Sequence, residues 1–236
     1  MNEVIISGAF DDLRSRHIRY LEEAARFGPV TVALWDDDRV AAERGGVKFP
    51  FAERKYLLEA VRFVERVVAA TRDTAPTSLP ELNLSGFPVP AFDPARMDPD
   101  RKRVIVTGCY DWFHSGHVRF FEECSQLGDL YVAAGNDANV RLLKGEGHPL
   151  FPQDERRYTV SACRYVKQAL ITSGMGWMDA APEIALVKPH YYAVNEDGDK
   201  PEKRAFCEEH GIEYVVLKRT PAEGLPRRSS SDLRGY

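Results

Sequence analysis

Two histidines, His114 and His117, sit three positions apart around Ser115 and Gly116. They end the run Gly108-Cys109-Tyr110-Asp111-Trp112-Phe113-His114-Ser115-Gly116-His117, which follows the apolar stretch Val104-Ile105-Val106. A short apolar run that ends in glycine reads as a buried strand handing over to a helix. The first turn of a helix presents unpaired N–H groups and a partial positive charge, and so favours phosphate. Two imidazoles at this spacing share one face of that turn, and each can donate to a phosphate oxygen. Gly116 leaves out a side chain where a nucleotide backbone would approach. The combination suits nucleotidyl transfer.

Three further segments carry phosphate chemistry. Lys144-Gly145, read as a loop after Leu142-Leu143, puts a lysine beside a flexible glycine, from where it can swing over a transferring phosphoryl group. Arg156 lies in Asp154-Glu155-Arg156-Arg157, and Glu53-Arg54 echoes it earlier in the chain, which hints at a structural role. The tail holds Arg219-Thr220 and Glu223-Gly224, then Ser229-Ser230-Ser231-Asp232-Leu233-Arg234, where three hydroxyl residues ahead of a helical run offer an N-cap and an anion site together.

The elements that must hold these residues occur twice. Val4-Ile5-Ile6-Ser7-Gly8-Ala9-Phe10-Asp11 matches Val104 to Asp111 at an offset of 100 residues, and Ser15, His17, Arg19, Glu22-Glu23 and Gly28 continue the register. After a two-residue shift, Phe49-Pro50, Glu53-Arg54, Tyr56, Arg62 and Val64 match Phe151-Pro152, Glu155-Arg156, Tyr158, Arg164 and Val166. Identities kept in register over two separated blocks indicate a duplication. Where the second copy has His114 and Gly116, the first has Arg14 and Arg16. The first copy reads as a degenerate α/β repeat over 1–73 that survives as a packing partner. Residues 74–102, with six prolines between Pro76 and Pro99, read as a linker along the surface, and 103–236 as the catalytic domain. In that domain Val104–Thr107, Leu130–Ala134, Ala169–Thr172, Tyr191–Val194 and Tyr214–Leu217 read as strands. The segments 117–127, 154–167 and 201–210 read as helices. The alternation predicts an α/β fold, a Rossmann-like doubly wound parallel sheet with ligands at the carboxyl ends of its strands.

A formal charge of −4 argues against a general nucleic-acid surface. Cys109, Cys124, Cys163 and Cys207 show no Cys-x-x-Cys spacing, so reduced thiols in a cytoplasmic protein are expected. No apolar run approaches the roughly 18 residues that span a bilayer.

From Arg103 to Gly235 the chain resembles the nucleotidyltransferase superfamily marked by His-x-Gly-His, with the first copy as a truncated echo. Gly108 to His117 looks like the first motif of that family. Arg219-Thr220…Glu223-Gly224…Ser229-Ser230-Ser231 is similar to the Arg-Thr-Glu-Gly-Ile-Ser-Thr-Thr motif of cytidylyltransferases, with Pro221-Ala222 and Pro226-Arg227-Arg228 inserted. The ending Ser229 to Arg234 equally resembles that of adenylyl-transferring relatives. The resemblance implies in-line attack by an acceptor phosphate on the α-phosphorus of a nucleoside triphosphate, with release of pyrophosphate. It assigns His114, His117 and Lys144 to catalysis. It assigns Gly108, Cys109, Tyr110, Gly116, Arg219, Ser229, Ser230 and Ser231 to the nucleotide. Mg²⁺ would enter on the nucleotide phosphates, without a dedicated protein site.

For the acceptor the resemblance points to Thr107, Asp111, Trp112, Arg156, Asn195 and Asp197. Choline- and ethanolamine-phosphate enzymes carry an acidic residue before the motif glycine, and Thr107 stands there instead, which counts against a cationic acceptor. Phe113 to His117 nonetheless looks like the choline-phosphate enzymes, glycerol-3-phosphate cytidylyltransferases remain in view, and Asp137 to Arg156 is similar to heptose-1-phosphate adenylyltransferases. Arg219-Thr220 and Glu223-Gly224 favour CTP. The alternatives are ATP with a sugar 1-phosphate, or a nucleotide-binding regulatory module without turnover. Expected partners are the nucleotide and a small phosphorylated acceptor, with no nucleic acid. The packing expected is a homodimer, or an internal pseudo-dimer of the two copies.

Overall fold

The computed structural model describes residues 2–230 and Leu233. The first copy runs β1 (Val4–Gly8), α1 (Ser15–Ala24), β2 (Val30–Leu34), α2 (Asp37–Arg44), α3 (Phe51–Glu59) and β3 (Val64–Ala69). Its strands form a parallel sheet in the order β1-β2-β3. The second copy repeats the pattern as β4 (Arg103–Gly108), α4 (Ser115–Ser125), β5 (Asp129–Ala134), α5 (Asp137–Lys144), α6 (Gln153–Ser161) and β6 (Val166–Ile171). It then adds α7 (Ala181–Val187), β7 (Tyr191–Asn195), α8 (Pro201–Glu209) and β8 (Glu213–Leu217). Its sheet is parallel throughout in the order β6-β5-β4-β7-β8. The chain therefore has the expected α/β Rossmann-like fold, doubly wound around the central β4. Buried on both faces, β5 reads as an unbroken apolar run after Asp129.

Several boundaries differ from the sequence reading, each for a local reason. The helix expected to reach Lys167 stops at Ser161, and β6 begins already at Val166. The turn between them is claimed by the other copy, because Arg164 N–H donates to Ala60 O at 2.8 Å and Cys163 bridges Val61. The segment before Gly145, read as a loop, is helix α5: the Asn136 side chain caps it by accepting from Asn139 N–H at 2.8 Å. Helix α4 starts at Ser115, two residues early, because His114 is its N-cap. Helix α7 had no counterpart in the sequence reading.

The two copies share one apolar core. Leu21, Leu34 and Leu58 of the first copy and Val106, Val118, Phe121, Val132 and Val160 of the second belong to a single buried cluster. On the other face of the larger sheet, Ile105, Tyr131, Leu170, Ile184, Val187 and Cys207 form a second layer under α7 and α8. The polar contacts between the copies are reciprocal. Ser15 Oγ donates to Glu155 at 2.5 Å, and Ser115 Oγ to Glu53 at 2.6 Å. Tyr158 OH donates to Glu22 at 2.7 Å, and Tyr56 OH to Glu122 at 3.0 Å. Arg62 bonds the carbonyls of Cys163 and Val166, while Arg164 bonds those of Val61 and Val64. Every such pair exchanges equivalent residues of the duplication, which is the signature of an isologous, twofold-like interface within one chain.

Residues 74–102 form no strand or α-helix, and carry one short 3-10 turn at Pro94–Arg96. They strap both sheets at their edges. Thr77 N–H donates to Ile5 O at 2.9 Å and Thr77 Oγ1 accepts from Ile5 N–H at 2.8 Å, which occupies the open edge of β1. Gln168 on β6 exchanges two bonds of 2.9 Å with the Asp93 backbone.

Candidate active site

The sheet order turns at β4, whose neighbours β5 and β7 lead away in opposite directions, so the carboxyl end of β4 is the switch point where such folds bind ligands. Strands β4 and β7 are in register only at Val104–Tyr191 and Ile105–Tyr192. Beyond that they part, and a crevice of about 160 Å³ opens between Thr107-Gly108 and Val194-Asn195. Thr107, Gly108, Cys109, Tyr110, His114, Gly116, His117, Lys144, Asn195, Asp197, Arg219 and Ser230 all border it, so most of the residues singled out from sequence meet in one place.

The geometry of the turn fixes the chemistry of His114. The ring folds back over the start of α4, and its Nδ1 accepts from Gly116 N–H at 3.1 Å. A backbone N–H can only donate, so Nδ1 is bare and the ring proton sits on Nε2. That Nε2 is buried without a hydrogen-bond partner among the described residues. The fold thus holds one N–H donor in place for a group it does not itself supply. His117 stacks on His114 with ring centres 3.9 Å apart, and is boxed in by Phe113 at 5.7 Å and the edge of Tyr110 at 5.3 Å. Burial pushes the His114 pKa down to about 3, helped by the Arg219 and Arg228 cations. Burial lowers His117 as well, followed by His114, Arg219 and Lys144. Both rings are neutral near pH 7, each with a single N–H.

Gly116 serves this ring, and the closest atoms there are not a ligand's. A Cβ at 116 would lie 2.9 Å from His114 Cε1 and 3.0 Å from Nδ1, so a side chain would displace the capping ring. Gly108 plays a similar part for Tyr110, whose ring would stand 2.8 Å from an added Cβ.

The remaining walls differ in kind. Lys144 is the exposed last residue of α5, at a helix end, and Gly145 follows at φ 86°. Arg219 is ion-paired with Asp197 and donates to the Arg228 carbonyl at 2.8 Å. Ser230 Oγ donates to Trp112 O at 3.2 Å. Ser229 does not border the crevice; its carbonyl accepts from Leu233 N–H at 3.3 Å. Ser231 lies outside the described residues.

Three residues expected at the acceptor are structural. Arg156 is 1% exposed and engaged through all three nitrogens: it donates to the carbonyls of Phe151, Cys109 and Gly135 and to Asp137 at 2.6–2.9 Å. Arg54 repeats the arrangement on Phe49 O, Ala9 O and Asp37. Asp111 clamps the backbone N–H groups of Leu150 and Phe151, as Asp11 clamps those of Lys48 and Phe49. Trp112 is buried with Phe49 and Leu233, and the Arg14 guanidinium lies 3.7 Å over its ring. Arg14 therefore works as packing between the copies and as a partner of Asp12 at 2.8 Å. Sequence reasoning missed Phe120, Val194 and Lys203, which also border the crevice, as does Gly198 beside Asp197. A lysine on a helix normally reads as a solvated side chain, and only the parting of β4 and β7 brings Lys203 inward.

A larger open cavity of about 850 Å³ lies at the opposite, amino-terminal ends of the strands, beside Val64, Asp129, Leu130 and Val166. It marks the seam between the copies. Arg62 and Arg164 on its wall are committed to backbone carbonyls, Arg101 and Lys167 pair with Asp129, and no histidine lines it.

The fold, the switch-point crevice and the imidazole pair agree with a comparison against known families, in which residues 105–234 match the profile described as cytidylyltransferase-like. The chain belongs to that family. Among its relatives is the bifunctional protein HldE of Geobacter sulfurreducens, 46% identical over 137 residues, covering 52% of this chain and 28% of the relative. The FAD synthase of Ferroglobus placidus is 32% identical over 135 residues, covering 56% of this chain and 85% of the relative. The ethanolamine-phosphate cytidylyltransferase of Arabidopsis thaliana is 38% identical over 114 residues, covering 46% and 27%. The chain thus spans less than a third of the HldE and plant relatives. In each case the matched length is about half of this chain. Among the described residues no helix is long and apolar enough to cross a membrane.

Proposed function

We propose that this protein transfers a nucleoside monophosphate from CTP or ATP to a small phosphorylated acceptor and releases pyrophosphate. An acceptor phosphate oxygen attacks the α-phosphorus, the bond from the α-phosphorus to the bridging oxygen breaks, and its electron pair leaves with pyrophosphate. No covalent enzyme intermediate is needed, so catalysis rests on alignment and on donors aimed at the oxygens where charge builds. The observation that carries this reading is the buried, partnerless Nε2–H of His114, held in that tautomer by Gly116 N–H. His117 presents the second imidazole, Lys144 brings a mobile charge from the rim, and Arg219 with Ser230 closes the phosphate end. Mg²⁺ would come with the nucleotide, carried on its phosphates, and would supply charge neutralisation there. Asp197, the carboxylate at the crevice, is paired with Arg219 and is poorly suited to a resident metal. CTP is the donor that Arg219-Thr220 and Glu223-Gly224 favour.

The deciding experiment is a matrix of CTP and ATP against phosphorylated polyols, amino alcohols, hydroxy acids and sugar 1-phosphates, read by pyrophosphate release. Turnover confined to one donor identifies it. Tight nucleotide binding with no pyrophosphate from any acceptor would overturn the transferase reading in favour of a binding module.

A further inference from the structure

One charge on the wall of the crevice has no role in the transfer step described above. Lys203 lies in the first turn of α8 and is 8% exposed. Its Nζ donates to Thr107 Oγ1 at 3.3 Å, and Thr107 Oγ1 in turn meets Tyr192 OH at 2.7 Å. Nζ also stands 5.6 Å from the centre of the Tyr192 ring. Among the described residues no carboxylate comes within 4 Å of it. The nearby acids are occupied elsewhere: Asp197 with Arg219, Asp199 with Arg204 and Tyr214, and Asp179 with the Thr172 hydroxyl. Burial pushes the Lys203 pKa down, with Lys200 adding to that, while Asp179 and Asp199 oppose it from beyond contact distance.

A buried ammonium without a carboxylate paired directly to it is costly, and such groups persist where something else supplies the charge. Lys203 sits beside Thr107, immediately before the Gly108 turn, and borders the same crevice as His114 and His117. We propose that Lys203 and the Thr107 hydroxyl, the latter held from behind by Tyr192 OH, form an anion subsite that takes a carboxylate or second phosphate at the far end of the acceptor and rejects acceptors ending in an ammonium group. As an acceptor subsite it rests on the transferase reading, but its charge preference is measurable without turnover.

Calorimetric titration of the full chain with 2-phosphoglycolate and with O-phosphoethanolamine provides the test, since the two are similar in size and differ in the sign of the far group. Wild type is expected to bind phosphoglycolate about tenfold tighter or more, the effect of one ion pair in a partly desolvated site. Lys203→Arg keeps the preference. Lys203→Met, which removes a buried charge and is expected to fold, brings the two ligands within about threefold, and Lys203→Glu reverses their order. Equal or tighter binding of phosphoethanolamine by wild type, a preference that survives in Lys203→Met, or binding of neither ligand overturns the subsite. CTP and ATP titrations of the same variants are expected to be unchanged; a selective loss of nucleotide affinity places Lys203 on the donor and overturns the proposal. Lys203-dependent selectivity in a protein that releases no pyrophosphate from any pair leaves the subsite standing and sinks the transferase reading instead.

Discussion

Glu53 belongs to the degenerate copy, yet its carboxylate lies against the His114–His117 turn of the other. It is 0% exposed, accepts from Ser115 Oγ at 2.6 Å, and holds Arg228 through Nη2 at 2.8 Å and Nε at 3.1 Å. Ser115 is the first residue of α4, next to His114, and the Arg228 carbonyl positions Arg219. Removing one member of a buried ion pair typically costs about 3–5 kcal/mol. Arg228 retains 18% side-chain exposure, so water recovers part of that, and Glu53→Ala is expected to cost about 2–4 kcal/mol. Glu53→Gln keeps the shape and an acceptor for Ser115, and is expected to cost about 1–2 kcal/mol. Because Arg219 and the α4 turn both lose their brace, kcat is expected to fall about tenfold to a hundredfold in a pyrophosphate-release assay run well below Tm. The duplication supplies a matched control. Glu155 receives the equivalent bond from Ser15 but faces the copy without the histidine pair, so Glu155→Gln should lower Tm while leaving kcat within about twofold of wild type. If Glu53→Gln loses stability but keeps full kcat, or if Glu155→Gln costs as much activity, the claim that the first copy braces the site is wrong.

His117→Ala is expected to lower kcat by about 10²–10³ while the fold persists, as for loss of one transition-state donor; unchanged turnover would remove His117 from the chemistry. The same rings make stability pH-dependent. Both have folded pKa values below the ordinary 6.5, so the unfolded chain binds more protons and stability falls as pH drops from 6.5 towards about 3, the value for His114. The slope approaches ~1.4 kcal/mol per pH unit per ring. His114→Asn should flatten it, which urea midpoints between pH 7 and 4 would show; an identical slope in the variant refutes the assignment. Arg62→Ala and Arg164→Ala each strip two backbone carbonyls of their donor at the seam, and each should cost about 1–3 kcal/mol in denaturant unfolding. A loss in only one of them would contradict the twofold arrangement.

The sheet, its central strand and the strand-to-helix turn carrying His114 and His117 were legible because they depend on short-range signals: an apolar run, a glycine and a helix start. The ends of α5 and α6 were not. Helix α5 is short and depends on an Asn136 cap, while α6 is cut off at Ser161 by contacts with Ala60 and Val61, about a hundred residues away in sequence. Lys203 was invisible for the same reason, since nothing near it in sequence records that β4 and β7 part above Ile105. Arg156 was grouped with the acceptor through the family resemblance, while its echo at Arg54 was a counter-signal that hinted at the structural role its bonds now show: an arginine that persists in a copy without the histidines has another task.

That counter-signal applies along the whole chain. Ser15/Ser115, Glu22/Glu122, Glu53/Glu155, Tyr56/Tyr158 and Arg62/Arg164 are the same in both copies and lie on the seam, where each residue bonds the opposite copy. Asp11/Asp111 and Arg54/Arg156 are the same and brace each copy internally. Most of the paired positions that touch the crevice differ, among them Ala9/Cys109, Phe10/Tyr110, Arg14/His114, Arg16/Gly116 and Arg44/Lys144. Gly8/Gly108 and His17/His117 stay the same there, and the contacts of His17 account for its retention. Its Nδ1 accepts from Arg14 N–H at 3.1 Å and its ring meets the edge of Phe10 at 6.0 Å, a packing role that needs no phosphate. An isologous seam requires both halves to keep the same residues, whereas a binding site can decay in one half at no cost to the seam. The structure therefore separates two demands on one ancestral unit: the first copy keeps the half that holds a partner, and through Glu53 it lends that half to the site that remains.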